Sequence, residues 1–287
     1  MTLRQCLRVG QARLLDAGIE NGDAEARWLL ESVTGRAQTA LLLSEEQVSD
    51  AVAKVYETLL ARRIAGEPVQ YLLGSWEFYG FSFAVGEGVL IPRPETELLV
   101  EFAERLLAAH PAPVILDLCA GSGCIGLSIA KLLPRARVWL LEKEQAAFAY
   151  LEENRRRLGV ENAVLIQGDL FDGPAAFGLP HADLLVSNPP YIASEEVPGL
   201  QREVLREPAS ALDGGADGLD FYRALAKDWL PRCDAAALEC GETQTDAVAA
   251  LLAIHYQSVA VRRDLNGLPR VVTGTDPVGK EPICCYN

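Results

Sequence analysis

The chain has 287 residues, 49% of them hydrophobic and 23% charged, which excludes a disordered polymer and allows one large domain or a domain with a small companion. A formal net charge of -14 argues against a broad nucleic-acid footprint, which needs Lys and Arg to neutralise phosphates, and favours a protein or small-molecule substrate. Seven scattered cysteines (6, 119, 124, 233, 240, 284 and 285) form no Cys-x-x-Cys pair. With only three histidines beside them, they argue for reduced, buried thiols and against a disulfide framework or a metal site. No apolar run approaches the ~20 residues that span a bilayer, and Met1 to Leu7 carry no secretory pattern, so a cytoplasmic protein is expected.

Residues 1–73 read as a small all-helical module. Ala24 to Val33, with Trp28, Leu29 and Leu30, predict one short helix. Ser44-x-x-Gln47 predicts a capping box, after which Val48, Val52, Val55, Leu59 and Leu60 recur at helical spacing until Gly66-Glu67-Pro68 stops the run. From Trp76 the period changes. Trp76, Phe78, Phe81, Phe83 and Val85 alternate around Gly80, predicting a β-hairpin, so residues 74–91 are expected to be a connector. Ile91-Pro92-Arg93-Pro94 then leads into a helix over Glu95 to Leu107 entered through proline.

Residues 92–287 are expected to form the main domain, and from 112 onward strand and helix alternate. Strands are predicted over Val114–Leu118, Arg137–Leu141, Ala163–Gln167, Asp183–Ser187 and Ala235–Glu239, with helices over Cys124–Leu133 and Gln145–Leu158. That alternation implies parallel βαβ units in an α/β, doubly wound, Rossmann-like sheet. Ala193 to Asp217 is long for a structureless connection and is a candidate lid.

The chemistry gathers at strand ends. Asp117-Leu118-Cys119-Ala120-Gly121-Ser122-Gly123-Cys124-Ile125-Gly126 closes one strand and opens a helix. Glycines there let the backbone approach a ligand, and the first helical amides face the same crevice. The string also satisfies the dinucleotide fingerprint, a weak match by itself, and a turn that merely packs helix on sheet would look similar. Asp117 favours S-adenosylmethionine over a nicotinamide cofactor, because it would repel a pyrophosphate yet can pair with the ammonium of a methionine moiety. Glu142, ending the second strand, can accept both ribose hydroxyls of either cofactor. After the third strand, Asp169 can accept from an adenine amine while Leu170 covers the ring, although Gly168-Asp169 is also ordinary turn chemistry.

The fourth strand runs into Asn188-Pro189-Pro190-Tyr191. Two prolines fix the backbone and remove two donors, leaving the Asn188 Oδ1 and the Pro189 carbonyl as acceptors for a substrate NH2 group, with Tyr191 available to stack on a planar amide or base. An amide nitrogen is a poor nucleophile because its lone pair is delocalised. Catalysis must then come from alignment, desolvation and charge placement, with no strong general base.

Over nearly its whole length the sequence resembles the release-factor glutamine N5-methyltransferases, the HemK/PrmC family. Gln70-Tyr71-Leu72-Leu73-Gly74, Glu77-Phe78-Tyr79 and Ile91-Pro92-Arg93-Pro94-Glu95-Thr96-Glu97 look like its connector. Cys119, Ala120, Gly121, Ser122 and Gly123 fall on its glycine loop, Glu142 on its ribose acid, and Asn188 to Tyr191 on its substrate tetrapeptide. Glu207-Pro208, Gly214 to Leu219, Leu238-Glu239-Cys240-Gly241 and Asp264-Leu265-Asn266-Gly267 match as well. Glu142 replaces a more usual Asp, and Leu170 a larger aromatic. The resemblance implies methyl transfer from S-adenosylmethionine, leaving S-adenosylhomocysteine, to the glutamine of Gly-Gly-Gln in peptide-chain release factors. It also implies an N-terminal docking module, and no metal, membrane or direct nucleic-acid partner.

Three other classes compete. A nucleic-acid methyltransferase acting on adenine N6 or guanine N2 would suit the same tetrapeptide, but the net charge opposes it. The densest basic cluster, Arg155-Arg156-Arg157, reads as a solvated helix face. A nicotinamide oxidoreductase leaves the tetrapeptide unexplained, and a non-catalytic binding protein is motivated by no missing group.

Overall fold

The computed structural model describes residues 1–43 and 45–279, and they form two compact units. The first comprises Met1–Ser75 and Gln201–Arg206. It is built from α1 (Leu3–Asp16), α2 (Gly22–Thr34), α3 (Gln38–Leu43), α4 (Asp50–Ile64) and α5 (Val69–Leu73). Thr2 starts α1 with a reciprocal cap, its hydroxyl taking the Gln5 amide at 3.3 Å while the Gln5 side chain takes the Thr2 amide at 2.9 Å. The capping box expected at Ser44 rests on a residue outside those described. Helix α4 opens later, after Ser49, whose hydroxyl accepts the Val52 amide. Leu7, Leu14, Leu29, Leu30, Tyr56 and Leu60 are buried at its centre. Residues 201–206 join this unit through Glu203, which accepts from the buried Arg63 at 2.6 Å while Arg63 also pairs with Glu25.

The second unit comprises Trp76–Leu200 and the chain from Glu207. The expected hairpin is β1 (Ser75–Phe78) and β2 (Phe81–Ala84); Tyr79 and Gly80 both take positive φ (50° and 76°), matching the right-handed twist of paired strands. A 3-10 turn at Pro94–Thr96 precedes α6 (Glu97–Leu107). Then follow β3 (Val114–Leu118), α7 (Cys124–Leu132), β4 (Arg137–Glu142), α8 (Gln145–Leu158), β5 (Ala163–Gln167) and β6 (Leu184–Ser187). The chain continues through α9 (Asp220–Ala224), β7 (Ala236–Glu239), α10 (Thr245–Leu252), β8 (Tyr256–Arg263) and β9 (Pro269–Pro277).

The sheet is seven-stranded in the order β5-β4-β3-β6-β7-β9-β8. Strands β5 to β7 run parallel as their short apolar sequences predict, but β9 pairs antiparallel with β7 and β8 antiparallel with β9. The last two strands thus depart from an all-parallel sheet. A tight turn joins them, with Asp264 Oδ1 accepting the Asn266 and Leu268 amides, and a short turn permits only antiparallel neighbours. Successive residues face opposite layers: Ile115 and Leu184 pack with Leu99 and Leu127, while Leu116 and Leu185 pack with Tyr222 and Trp229.

From β3 the order runs one way through β4 and β5, and the other way through β6 and β7. This reversal leaves a crevice beyond the carboxyl ends of β3 and β6, the usual ligand position in such sheets. Ser187 Oγ donates to the Leu118 carbonyl at 2.6 Å and ties those two strand ends together. Residues 193–217 contain short 3-10 turns at Val197–Gly199, Val204–Arg206 and Ala209–Ala211, and Asp213 makes an isolated parallel bridge with Ile192. No described helix is long and apolar enough to cross a membrane.

Candidate active site

A cleft of about 980 Å³, solvent at its mouth included, opens at this reversal point. Of the residues singled out in the sequence, Cys119, Ala120, Gly121, Ser122, Glu142, Asp169, Leu170, Asn188 and Pro190 line it. Asp117, Gly123, Pro189 and Tyr191 are not among its lining residues. The loop after β3 reaches the cleft through a left-handed run, with φ 61° at Cys119, 56° at Gly121 and 80° at Gly123. Cys119 holds that conformation despite its Cβ, a strain that accompanies ligand-binding loops.

The acids of the site serve the loop as well as the cleft. Glu142 Oε2 accepts the Gly121 amide at 2.7 Å and its Oε1 accepts the Glu144 amide at 2.8 Å. Burial raises its pKa, and these backbone donors pull it back down. Asp117 is fully buried behind the loop, where Oδ2 accepts the Gly126 amide at 2.8 Å and Oδ1 has no partner among the described residues. Oδ2 thereby fixes the first turn of α7. Strand β3 is covered on both faces, so an acid near its end has an interior place to go. Asp169 is committed too, Oδ1 to the Phe171 amide at 3.0 Å and Oδ2 to Lys143 at 3.0 Å. The Gly121 amide of the loop and the Gly126 amide of the first turn of α7, which could have cradled a pyrophosphate, are thereby taken by carboxylates.

Burial pushes the Asp117 pKa up to about 7; the Gly126 amide opposes the rise and the Glu142 charge adds to it. An unfolded Asp ionises near pH 3.9, so between about pH 4 and 7 the folded state holds the extra proton and stability falls as pH rises. Asp117→Asn should flatten that fall by several degrees of Tm across pH 4–7. Parallel wild-type and variant curves in a thermal unfolding series would contradict the assignment.

Several lining residues escaped the sequence reading. Leu90, Ile91, Pro92, Arg93 and Thr96 come from the proline segment, Ser210 and Ala211 from the long loop, and Phe171 and Phe221 add an aromatic wall. Leu170, expected as a bare ring cover, uses its carbonyl to accept from Trp229 Nε1 at 3.1 Å, while the adjoining Phe171 is 52% exposed and lies 5.0 Å from the Phe221 ring. Glu207 accepts the Ile91 amide at 2.9 Å and pairs with Arg93, locking the proline segment beside the cleft.

Asn188 stands at the end of β6 with Nδ2 donating to Thr96 Oγ1 at 3.3 Å, and its Oδ1 takes no donor among the described residues. The turn that follows is clamped from behind. Gln244 Nε2 donates to the Tyr191 carbonyl at 2.8 Å, and the Ile192 carbonyl accepts the Gly214 amide at 2.8 Å. A Cβ at Gly214 would stand 2.7 Å from the Pro190 oxygen, and one at Gly218 would stand 2.2 Å from the Tyr191 oxygen, so only glycine lets this loop close on the tetrapeptide. The Tyr191 ring packs against the apolar cluster around Tyr222, and its burial raises the phenol pKa.

Comparison with known proteins accords with this geometry. Residues 5–74 match the family described as PrmC N-terminal domain, and residues 95–217 the methyltransferase small domain. Among curated relatives called release factor glutamine methyltransferase, one from Geobacter sulfurreducens is 38% identical over 279 residues, covering 95% of this chain and 96% of its own. One from Moorella thermoacetica is 42% identical over 253 residues (86% and 88%), and one from Bordetella pertussis 41% over 266 residues (91% and 97%). Among solved structures, the hMettl16 catalytic domain in complex with MAT2A 3'UTR hairpin 6 superposes with a TM-score of 0.58 at 15% identity, covering 78% of this chain and 84% of that one, a likeness of fold. By identity and coverage, the chain belongs to the release factor glutamine methyltransferase family.

Proposed function

We propose that the protein transfers a methyl group from S-adenosylmethionine to the side-chain amide nitrogen of the glutamine in the Gly-Gly-Gln motif of peptide-chain release factors. The observation that carries this reading is the Asn188 amide at the cleft edge. One of its N–H groups donates to Thr96, its Oδ1 takes no donor among the described residues, and two prolines follow it. Such a site offers acceptors where a substrate NH2 group needs them.

The cleft residues suit the cofactor. Glu142 retains lone pairs for two ribose hydroxyls beyond its bonds to the Gly121 and Glu144 amides. Phe171 and Leu170 offer an apolar wall for a flat base, with Asp169 at its edge. Glu142 and Asp169 at the cleft, with few free cations beside them, suit a positively charged ligand better than a pyrophosphate. S-adenosylmethionine supplies a methyl on a cationic sulfur, which departs with the bonding pair as a neutral thioether. Asn188 Oδ1 and the Pro189 carbonyl hold the two amide protons and turn the nitrogen lone pair toward that methyl. The proton lost from nitrogen leaves to solvent after transfer.

Residues 1–73 serve as a partner-docking module on this reading, residues 74–91 as a connector and residues 92–287 as the transfer domain. The setting is cytoplasmic, where release factors act, and neither nucleic acid nor a membrane is needed as a partner. Labelled methyl from S-adenosylmethionine should enter a release factor carrying Gly-Gly-Gln and not one carrying Gly-Gly-Glu. Equal labelling of both would refute the assigned acceptor.

A further inference from the structure

One wall of the cleft carries a cation that the chemistry above does not use. Arg93 lines the cleft with its side chain 30% exposed, and its guanidinium makes a single hydrogen bond among the described residues, to Glu207. The Glu207 side chain is only 2% exposed and also accepts the Ile91 amide at 2.9 Å, so the pair is anchored from behind. An arginine carries five N–H donors in a rigid fork, and the bond to Glu207 leaves most of those on Arg93 open. The position of Arg93 is tied to the acceptor end of the cleft. Its carbonyl accepts the Thr96 amide at 3.1 Å, and the Thr96 hydroxyl is the group to which Asn188 Nδ2 donates at 3.3 Å. The wall around it is poor in backbone donors. Pro92, Pro190 and Pro208 line the cleft without an N–H, the Ile91 N–H is taken by Glu207, and the Thr96 N–H by Arg93.

We propose that Arg93 determines acceptor binding by holding a main-chain carbonyl oxygen of the substrate peptide, next to the reacting glutamine, with the N–H groups that Glu207 leaves open. The inference rests on the reading of Gly-Gly-Gln as the acceptor. Two glycines offer no side chain to grip, so the segment before the glutamine has to be held by its main chain. Its carbonyl oxygens need donors, and a wall lined by prolines offers few of them. The buried Glu207 carboxylate balances the Arg93 charge, so the pair presents directed donors with little net charge. That suits a neutral peptide oxygen better than the carboxylate of the cofactor's methionine moiety. With a main-chain oxygen on Arg93 and the side-chain NH2 group on Asn188, the acceptor residue is held at two points, which limits its rotation against the methyl.

The test measures kcat and KM on a Gly-Gly-Gln release factor, and the calorimetric Kd for S-adenosylmethionine, for wild type, Arg93→Met, Arg93→Lys and Glu207→Gln. Arg93→Met removes the donors. It should raise the release-factor KM about tenfold, the scale of one lost hydrogen bond from a charged donor, with the cofactor Kd within about twofold. Arg93→Lys keeps the ion pair with Glu207 but replaces the fork by one compact ammonium, and should raise KM severalfold. Because it leaves Glu207 paired, it answers the question even where Arg93→Met does not fold. Glu207→Gln weakens the anchor while keeping the guanidinium, and should raise KM less than Arg93→Met. Had Arg93 only braced the proline segment, Arg93→Lys would match wild type and Glu207→Gln would match Arg93→Met. Active wild type with an unchanged release-factor KM in Arg93→Lys, or with the loss falling on the cofactor Kd, overturns the role of Arg93 and leaves the Gly-Gly-Gln reading standing. A wild type that labels no glutamine overturns that reading and the inference with it.

Discussion

Asn188→Ala should methylate release factor at least ~10²–10³-fold more slowly than wild type while its affinity for S-adenosylmethionine stays within a few-fold, the scale seen when one pre-set polar contact to a reacting group is removed. The physical reason is that an amide nitrogen gains little from a stronger base and much from a fixed orientation. Deleting the Asn188 acceptor lets the substrate NH2 group rotate, and the delocalised lone pair then points away from the methyl. Folding should be spared, because Asn188 makes a single hydrogen bond, to Thr96, among the described residues. Steady-state turnover beside a calorimetric cofactor titration checks both halves. Near-wild-type kcat would remove Asn188 from the acceptor site.

Glu142→Ala should act on the other substrate, weakening S-adenosylmethionine binding by roughly 2–4 kcal/mol, about 30- to 1000-fold in Kd, the range for losing charge-assisted hydrogen bonds. Here the geometry adds something that the residue type alone does not contain. Glu142 also holds the Gly121 and Glu144 amides, so the variant loses the shape of the glycine loop together with the ribose contact. Glu142→Gln separates the two effects: it keeps one acceptor and should bind with intermediate affinity. Unchanged affinity in Glu142→Ala would show that the ribose lies elsewhere in the cleft.

The parts of the fold that were legible are those with local causes. Parallel strands covered on both faces read as short apolar runs, and β3, β5 and α8 fall where those runs and their flanking turns placed them. Gly159, left-handed at φ 61°, ends α8 as a glycine after a periodic helix should. What failed depended on choices made by the rest of the chain. Helix α4 opens at Asp50 after the Ser49 cap, so Val48, which fits its apolar spacing, lies outside it. The Asn266-Gly267 turn between β8 and β9 is a hairpin signal, but β8 exposes most of its residues and reads weakly as a strand.

The same division holds in the site. The glycine loop, Glu142 and the tetrapeptide announce themselves because each follows a strand and carries unusual residues. Asp117 stands at the glycine loop as its position in the sequence says, but that the Gly126 amide of α7 holds one of its oxygens is set by how that helix packs. Arg93 and Glu207 meet across 114 positions of sequence, and no spacing rule reaches that far. That Glu239 stands beside Asn188 became visible only when β6 and β7 were set side by side.

The most direct measurement is peptide mass spectrometry on a release factor incubated with the purified protein and S-adenosylmethionine, with duplex DNA and an RNA hairpin as parallel substrates. A single added methyl, localised by fragmentation to the side chain of the Gly-Gly-Gln glutamine and absent with Asn188→Ala, is the expected result. An unmodified glutamine from a protein that demonstrably binds the cofactor, with methyl appearing instead on a nucleic-acid amino group, would contradict the account.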